Sequence, residues 1–250
     1  MDTALYEMIF RRKSFHLFRG VGDERLTPEE LDGIRTAFEG FERLYPDVRT
    51  AIRIVPTGQE PFKKDAEYCI LLYSEKKENY LMNAGYIGQQ LDLWLVQHGI
   101  GSLWYGLGKP DAPQYDGLDY VIMLAGRKVS DAGKFRRDLS RVKRKPVEAV
   151  CAGERLEAAE TARFAPSACN SQPWQTEYAD GVLTVSRLKK PGRIGIMSPS
   201  AASYFNRIDM GIYLCVLELC LLHGGQSFER ELFADPGGDA PRTEVARYRL

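Results

Sequence analysis

Apolar side chains recur at helical spacing in several parts of the chain. In the first of these, Leu5, Met8 and Ile9 share one face of a helix expected from Thr3 to about Arg12. Four more helices are expected. They run from Thr27 to about Phe41, Asn79 to His98, Glu154 to Phe164 and Asn206 to His223. The start at Thr27 is the clearest, because Thr27 can cap, Pro28 suits the first turn and Glu30 can close a capping box. Glycines follow both long helices and are placed to end them.

Strand patterns separate these helices. Ala51–Val55 alternates between apolar and polar residues, whereas Tyr68–Tyr73 and Tyr120–Leu124 are continuously apolar, as expected of buried strands. Further strands are expected at Gln175–Tyr178, Val182–Arg187 and Thr243–Arg249. Helices and strands thus mix along the whole chain, which predicts an α+β fold.

The second half of the sequence resembles the first at an offset of 125 residues. Leu31 falls on Leu156 and Ala37 on Ala162, both within expected helices. We interpret this as an internal duplication, with lobes at 1–148 and 149–250 that together form one compact unit. Such a chain would imitate a homodimer with its two-fold axis inside one polypeptide. Chance similarity between amphipathic helices remains the alternative.

Composition narrows the class of protein. The 250 residues carry 34 Lys and Arg against 34 Asp and Glu, and this neutral balance argues against a nucleic-acid-binding protein. No apolar run reaches the roughly 18 residues of a membrane span, and the first residues lack the order of a signal peptide. A cytoplasmic protein without membrane or nucleic-acid partners is expected. The five cysteines form no CxxC pair and histidines number three, so neither a metal site nor a disulfide framework is expected.

Three stretches contain candidate chemistry. Arg11–Phe18 places three cations and a hydroxyl within four residues, which suits a dianionic phosphate, although a solvated basic patch is the alternative. Ala165–Trp174 sets short polar side chains between two prolines and can bracket a heteroaromatic ring, or else be a structural loop anchored by Trp174. Gly99–Gly108 contains four glycines in ten residues, so its backbone can approach a ligand closely. It matches neither a P-loop nor a dinucleotide-binding fingerprint.

Together these stretches resemble the nitroreductase family of FMN enzymes. Arg12–Phe18 is similar to the family's N-terminal RxSxRxF segment, and Pro166–Trp174 is similar to its PSxxNxQPW loop, the most specific match. Gly99–Gly106 resembles the glycine-rich turn after the central helix, and Arg144–Glu148 resembles the RKPxE segment. The resemblance implies a nitroreductase-like fold, with antiparallel-rich sheets flanked by helices.

The resemblance also implies a set of FMN contacts. Arg12, Ser14 and Arg144 would hold the phosphate with help from Lys13, and Lys143 is the alternative to Arg144. His16 stands where the family has a stronger cation near N1 and O2 of the flavin. The remaining contacts would be backbone N–H groups near N5 and O4, from Tyr105, Gly106 and Leu107, and ring-lining residues of the later loop, namely Pro166, Ser167, Ala168 and Asn170.

By the same resemblance the flavin carries the reaction, and we assign no catalytic side chain. A ping-pong hydride transfer through flavin N5 would pass electrons from NADH or NADPH to a small nitroaromatic or quinone-like acceptor. Two other functions remain open. One is different FMN chemistry on the same fold, such as reductive dehalogenation or flavin cleavage. The other is non-catalytic flavin binding, suggested by His16.

The chain departs from the family pattern in the position of one motif. In ordinary members the PSxxNxQPW loop precedes the central helix, where this chain has Phe41–Arg49, and here the loop appears only in the second half. In family homodimers this loop reaches across from the partner subunit. We therefore expect a fused, two-lobed member with one FMN per chain, either a monomeric pseudo-dimer or a loose homodimer.

Overall fold

The computed structural model describes residues 1–58, 65–189, 192, 194–238 and 240–250. A short 3₁₀ turn at Thr3–Leu5 leads into the first α-helix. In chain order the α-helices of the described residues are α1 (Tyr6–Arg11), α2 (Pro28–Gly40), α3 (Tyr80–Gln97), α4 (Glu157–Ala162) and α5 (Pro199–His223). Within these ranges, no helix is both long enough and apolar enough to cross a membrane.

Two five-stranded sheets flank the long helices, and each draws its strands from one half of the chain. The strands are β1 (Thr50–Pro56), β2 (Tyr68–Ser74), β3 (Ile100–Tyr105), β4 (Gln114–Tyr115), β5 (Leu118–Lys128), β6 (Cys151–Gly153), β7 (Trp174–Ala179), β8 (Val182–Leu188), β9 (Glu229–Leu232) and β10 (Arg242–Arg249). The first sheet has the order β1-β2-β5-β3, with β4 beside β5, and the second has the order β6-β7-β8-β10-β9. All neighbours pair antiparallel except β6 and β7. The fold is α+β with antiparallel-rich sheets, as predicted.

Local sequence signals placed most elements well, but the start of α5 was predicted too late. The capping box of α2 is complete, with Thr27 and Glu30 each bonded to the other's backbone N–H. In α5 the helix begins at Pro199 rather than near Asn206, because the Ser198 side chain caps it by accepting from Ala201 N. The Ser-Pro pair is a helix-start signal that the prediction passed over.

The expected glycine-rich turn is also corrected, since most of it is strand β3. Glycine at position 101 serves packing here: a Cβ atom there would lie 2.9 Å from ring carbons of Phe15 and 2.9 Å from Val129. The Phe15 backbone joins the sheet edge, donating its N–H to Ser102 O at 3.0 Å. The turn itself is confined to Gly106 and Leu107.

Helices α3 and α5 cross at the centre of the molecule through two glycines. A Cβ atom at Gly85 would collide with the carbonyl oxygen of Ile208, and one at Gly211 would collide with that of Met82. Because neither position has a side chain, the two backbones approach directly. Both helices are largely buried, and the first turns of α5 line the candidate site.

Candidate cofactor site

A cavity of about 730 Å³ lies between the two halves of the chain, within the usual size range of small-molecule sites. Its first-half wall comes from the segment after α1 and from the end of β3. Its second-half wall comes from the loop before β7 and from the first turns of α5. Residues from these elements that line it include Arg12, Ser14, His16, Trp104, Tyr105, Gly106, Leu107, Arg136, Arg144, Pro166, Ser167, Ala168, Asn170, Phe205 and Asp209.

Arg12 is anchored at one end of this cavity by a buried carboxylate. Its Nε donates to Asp92 Oδ2 at 2.7 Å, and Asp92, on α3, is fully buried. Asp92 also accepts from Trp104 Nε1 at 3.1 Å and from the Ser102 hydroxyl, so it ties Arg12 to β3. The Arg12 Nη1 donates to Ser14 Oγ at 3.1 Å, whereas Nη2 is buried and has no partner among the described residues. A buried guanidinium nitrogen without a partner indicates an acceptor supplied from outside the chain.

Three guanidinium groups, from Arg12, Arg136 and Arg144, share this cavity. Burial and the charge of Arg12 together lower the pKa of Arg136 to about 10, against the opposing effect of Asp92. Burial likewise lowers the pKa of Arg144 to about 10, with contributions from Arg12 and Arg136. Because arginine side chains carry a positive charge at neutral pH, three guanidinium groups beside the Asp92 carboxylate leave an excess of about two positive charges. A phosphate monoester, with roughly −1.5 to −2 charge, complements this excess.

Arg136 and Arg144 differ in the hydrogen bonds that they donate. Arg144 Nε and Nη2 donate to the carbonyls of Ala165 and Phe164 at 3.2 and 3.0 Å, and its Nη1 donates to Asn170 Oδ1 at 3.0 Å. Arg144 therefore fixes the loop before β7 as well as lining the cavity. Among the described residues, the Arg136 side chain donates one hydrogen bond, to the carbonyl of Arg12, so most of its N–H groups remain available to a ligand.

Two lysines predicted near the phosphate lie elsewhere. The Lys13 ammonium lies 4.6 Å from the centre of the Phe15 ring, and its pKa is lowered by burial and by Lys134 and Arg136. Lys143 is exposed. Neither belongs to the cavity lining, whereas Arg144 does.

Part of the cavity lining is apolar, and two of its aliphatic side chains are exposed. Gly106 packs against the ring of Phe205, and a Cβ atom there would lie 2.8 Å from it. Leu107 and Ile196 also line the cavity, with 65% and 67% of their surfaces exposed. Two such exposed aliphatic residues at one opening mark an apolar binding surface.

The loop before β7 holds an unusual backbone conformation. Cys169, Asn170 and Gln172 all have positive φ, at 48°, 53° and 47°. Each such residue costs on the order of 1 kcal/mol or more, and strain of this kind persists where surrounding contacts overdetermine it. Gln172 supplies some of those contacts: Oε1 accepts from Lys145 N at 2.7 Å, and its own N–H donates to Ser167 Oγ at 3.0 Å.

The same loop is fastened to α5 by Asp209. Asp209 Oδ1 accepts from Ala168 N at 2.9 Å, and Oδ2 lies 3.2 Å from Ser171 Oγ. Trp174, directly after the loop, is fully buried and stacks on Tyr213 of α5 at 4.9 Å, so it belongs to the core. These contacts present Pro166–Asn170 to the cavity.

The structure thus brings together the predicted contact residues except Lys13, and Lys143, the alternative to Arg144, also lies outside the cavity lining. His16 is exposed at the mouth. Sequence reasoning missed Arg136, Phe205 and Asp209. Arg136 lay within a dense basic run, and the other two lay in a helix whose apolar pattern drew attention to its core face. The 125-residue offset, which aligns Arg136 and Arg137 with the first motif, was the available signal.

Solved structures of other proteins are similar to this chain to different degrees. A putative nitroreductase from Thermotoga maritima is 20% identical and superposes with a TM-score of 0.60, covering 98% of this chain and 93% of the other. A putative NADH dehydrogenase/NAD(P)H nitroreductase from Parabacteroides distasonis is 14% identical, covers 58% of this chain and 99% of its own, and has a TM-score of 0.41. A nitroreductase family protein from Clostridium difficile is 15% identical, the superposition covers 60% of this chain and 97% of the other, and the TM-score is 0.43. The first superposition shows a nitroreductase fold.

The family assignment follows from the sequence itself. The model of the family described as "Putative TM nitroreductase" matches residues 4–221, most of the chain. The protein belongs to this family and is an oxidoreductase of the nitroreductase type. No curated protein matches the chain.

Proposed function

We propose that the protein binds one FMN in this cavity and uses NADH or NADPH to reduce a small, planar, uncharged acceptor. The observation that carries the proposal is the convergence of Arg12, Arg136 and Arg144 at one end of the cavity, with a buried nitrogen of Arg12 lacking a partner. A ligand with a dianionic group at one end and an extended ring at the other fits this distribution of charge.

The phosphate would be held by Arg12, Ser14, Arg136 and Arg144. Asp92 fixes Arg12 through its Nε, which leaves Nη2 directed to the ligand. Charge-assisted bonds from guanidinium groups to phosphate are the strongest of the contacts available here. Because Arg144 already donates to three loop oxygens, Arg136 would supply the larger number of free N–H groups.

The ring would lie between the turn at Tyr105, Gly106 and Leu107 and the strained loop Pro166–Asn170. Bound FMN would accept a hydride from the nicotinamide and return the electrons to the acceptor. The chain's contribution is orientation: a strained loop fixed by Arg144 and Asp209 presents the same donors and acceptors at each turnover. His16 lines the cavity and is exposed.

The acceptor would stack at the apolar opening formed by Leu107, Ile196 and Phe205. These side chains offer no charge or hydrogen bond, so they favour planar apolar molecules such as quinones and nitroaromatics over ionic ones.

We further propose that lobes 1–148 and 149–250 are two fused half-sites. Arg12, Ser14 and the β3 turn come from the first, whereas the ring-lining loop and α5 come from the second. The matching strand orders β1-β2-β5-β3 and β7-β8-β10-β9 and the reciprocal glycine crossing support a duplicated unit.

The absorption spectrum of the purified protein, followed by FMN titration, tests the cofactor assignment. We expect flavin bands or quenching of FMN fluorescence on addition, then oxidation of NADPH with menadione or nitrofurazone. A colourless protein that leaves FMN fluorescence unchanged contradicts the proposal. Flavin binding without turnover of either acceptor would limit the function to flavin binding.

A further inference from the structure

Asp209 is a buried acid in the wall of the ring end of the cavity. It is 3% exposed, and its two oxygens contact the Ala168 N–H and the Ser171 hydroxyl. It is thus the link between α5 and the strained loop that lines the cavity.

The hydrogen atoms around Ser171 point to a protonated carboxyl. Ser171 Oγ lies 3.1 Å from Asn206 Oδ1 and 3.2 Å from Asp209 Oδ2, and both are acceptors if the carboxyl is ionised. A hydroxyl has one hydrogen, so it cannot donate to both. If Asp209 carries a proton on Oδ2, it donates to Ser171, and Ser171 donates to Asn206. Each of the two contacts of Ser171 Oγ then has one donor and one acceptor.

The first half of the protein performs the same task with a neutral side chain. Asn83 lies on α3 126 residues before Asp209, the offset that relates the crossing glycines Gly85 and Gly211. Its Oδ1 accepts from the backbone N–H of Tyr45 at 3.0 Å, as Asp209 Oδ1 accepts from Ala168. Position for position, an amide fastens one loop and a carboxyl fastens the other. A protonated carboxyl is the closer chemical equivalent of that amide.

Burial is the cause that favours the neutral acid. It raises the pKa of Asp209 to about 7, against the opposing effect of the Ala168 and Ser171 hydrogen bonds. The ionisable side chains that share its cavity are Arg12, His16, Tyr105, Arg136, Arg144 and Cys169, and the crossing helix α3 adds Tyr80, Tyr86 and Asp92. None of these charges contributes to the shift, so burial sets the direction.

We propose that Asp209 is a positioning residue of the flavin site that works as a neutral carboxylic acid, seating the ring-lining loop through Ala168 and Ser171. The inference rests on the proposed FMN site and adds that this site is assembled in the protonated form. When Asp209 is ionised, Ser171 must donate its only hydrogen to Asp209, and Asn206 Oδ1 loses its donor. The carboxylate also places an uncompensated charge beside the ring.

The consequence is a pH dependence of FMN affinity with a defined sign. FMN binds the protonated protein, so affinity falls as the pH rises through the Asp209 pKa. With a pKa of about 7, the neutral fraction falls about 15-fold between pH 7 and pH 8.5, and the dissociation constant rises by the same factor. The phosphate, with a second pKa of about 6, stays dianionic over this range.

The experiment measures the FMN dissociation constant of wild type, Asp209→Asn and Asp209→Ala from pH 7 to pH 8.5. Asp209→Asn keeps an acceptor for Ala168 and a donor for Ser171, so its affinity should stay level and match that of wild type at low pH. Asp209→Ala lacks both groups and should bind more weakly at every pH. Equal pH dependence in wild type and Asp209→Asn would overturn the proposal.

A second measurement needs no flavin. The folded pKa of Asp209 is raised above its ordinary value of 3.8, so its contribution to stability is lost as the pH rises through the folded pKa. The free energy of unfolding of wild type relative to Asp209→Asn should therefore fall from pH 5 to about pH 7 and then level off. A constant difference contradicts the neutral acid. If wild type fails to bind FMN at pH 7 yet shows this profile, the proposed function fails and the protonation of Asp209 stands.

Discussion

Gly85 and Gly211 lie at the crossing of α3 and α5, and each glycine contacts the backbone of the other helix. The residue contacted lies three positions before the opposite glycine in the sequence. Gly85 lies against the carbonyl of Ile208 and Gly211 against that of Met82. The contact is thus reciprocal, as in a symmetric dimer interface. It sets the separation of the two helices whose side chains, Asp92 and Asp209, fasten opposite walls of the cavity.

Alanine at either crossing position should therefore destabilise the fold. Because the added methyl group would meet backbone, which cannot rotate away, we expect Gly85→Ala and Gly211→Ala each to lower the free energy of unfolding by about 1–3 kcal/mol or more. Gly33→Ala, within α2, is the matched control. Its methyl group would have a 3.7 Å contact with Trp94, so it should raise stability by about 0.5–1 kcal/mol. Urea denaturation measures all three, and stability gains at the crossing positions would refute the close approach.

The sequence allowed those parts of the fold to be predicted whose signals are local. The capping box at Thr27 and Glu30 involves two residues three positions apart, and the apolar run of β2 is visible within a short window. Strand β9 was missed because Glu229–Leu232 alternates between exposed and half-buried positions and carries little apolar signal. Strand β3 was missed because its glycines suggest a turn, whereas Gly101 is small to accommodate Phe15.

In the candidate site, too, only the features with a local sequence signal could be predicted. Its motifs at Arg12 and Pro166 could be found because they resemble a family pattern. Their support could not, since the Arg12–Asp92 pair spans 80 residues and the Ala168–Asp209 bond spans 41. Buried carboxylates in long apolar helices give no local signal of the loop or cation that they will meet after folding.

Arg136 should contribute directly to flavin affinity. Its guanidinium lines the cavity, whereas the next residue, Arg137, is exposed and outside the lining. Loss of hydrogen bonds to a charged group costs about 1.5–3 kcal/mol, so Arg136→Ala should weaken FMN binding roughly 10- to 150-fold. Arg137→Ala removes the same charge one position away and should change it less than about twofold, since exposed charges are screened. Fluorescence titration compares them, and equal effects would indicate general attraction by the basic segment.

The Arg12–Asp92 pair should be essential to folding as well as to the site. Arg12→Ala leaves the Asp92 carboxylate buried without its cation, which should cost about 3–5 kcal/mol in the free energy of unfolding. Adding Asp92→Asn removes that charge and should restore part of the loss, although flavin binding stays weak. Urea denaturation of the single and double variants measures the coupling. If the double variant is less stable than Arg12→Ala, Asp92 does not act through the cation.

The apolar opening should determine acceptor affinity. Leu107→Ser and Ile196→Ser each remove apolar surface from the rim, and a loss of about 1 kcal/mol would raise KM for menadione about fivefold. FMN content should be unchanged, because the proposed contact of Leu107 with the flavin is its backbone N–H, which Leu107→Ser keeps, and Ile196 is not among the proposed flavin contacts. Leu17→Ser is the control, since Leu17 is 49% exposed yet absent from the cavity lining. Steady-state NADPH oxidation distinguishes them, and loss of flavin from the rim variants would assign these residues to the ring instead.

One chain should bind one FMN, because under the proposed duplication the position equivalent to the cavity would be filled by side chains. At the 126-residue offset, Asp92 corresponds to Glu218, Trp104 to Arg230 and Ile212 to Tyr86. Arg230 Nη1 donates to Glu218 at 2.7 Å, and the hydroxyls of Tyr86 and Tyr248 donate to the same Glu218 carboxylate at 2.6 and 2.7 Å. This closed network occupies the place where a second ligand would lie.

The cavity is lined by residues of both proposed lobes of one polypeptide, so its assembly should not depend on association between chains. Fusion holds the loop Pro166–Asn170 near Arg12 at an effective concentration of about the millimolar range or higher. Titration at low and high protein concentration should therefore give the same FMN dissociation constant and a stoichiometry of one per 250-residue chain. Dissociation on dilution, with affinity falling as a dimer separates, would mean that the loop acts on a partner chain. Two FMN per chain would mean that the Glu218 network opens to admit a ligand.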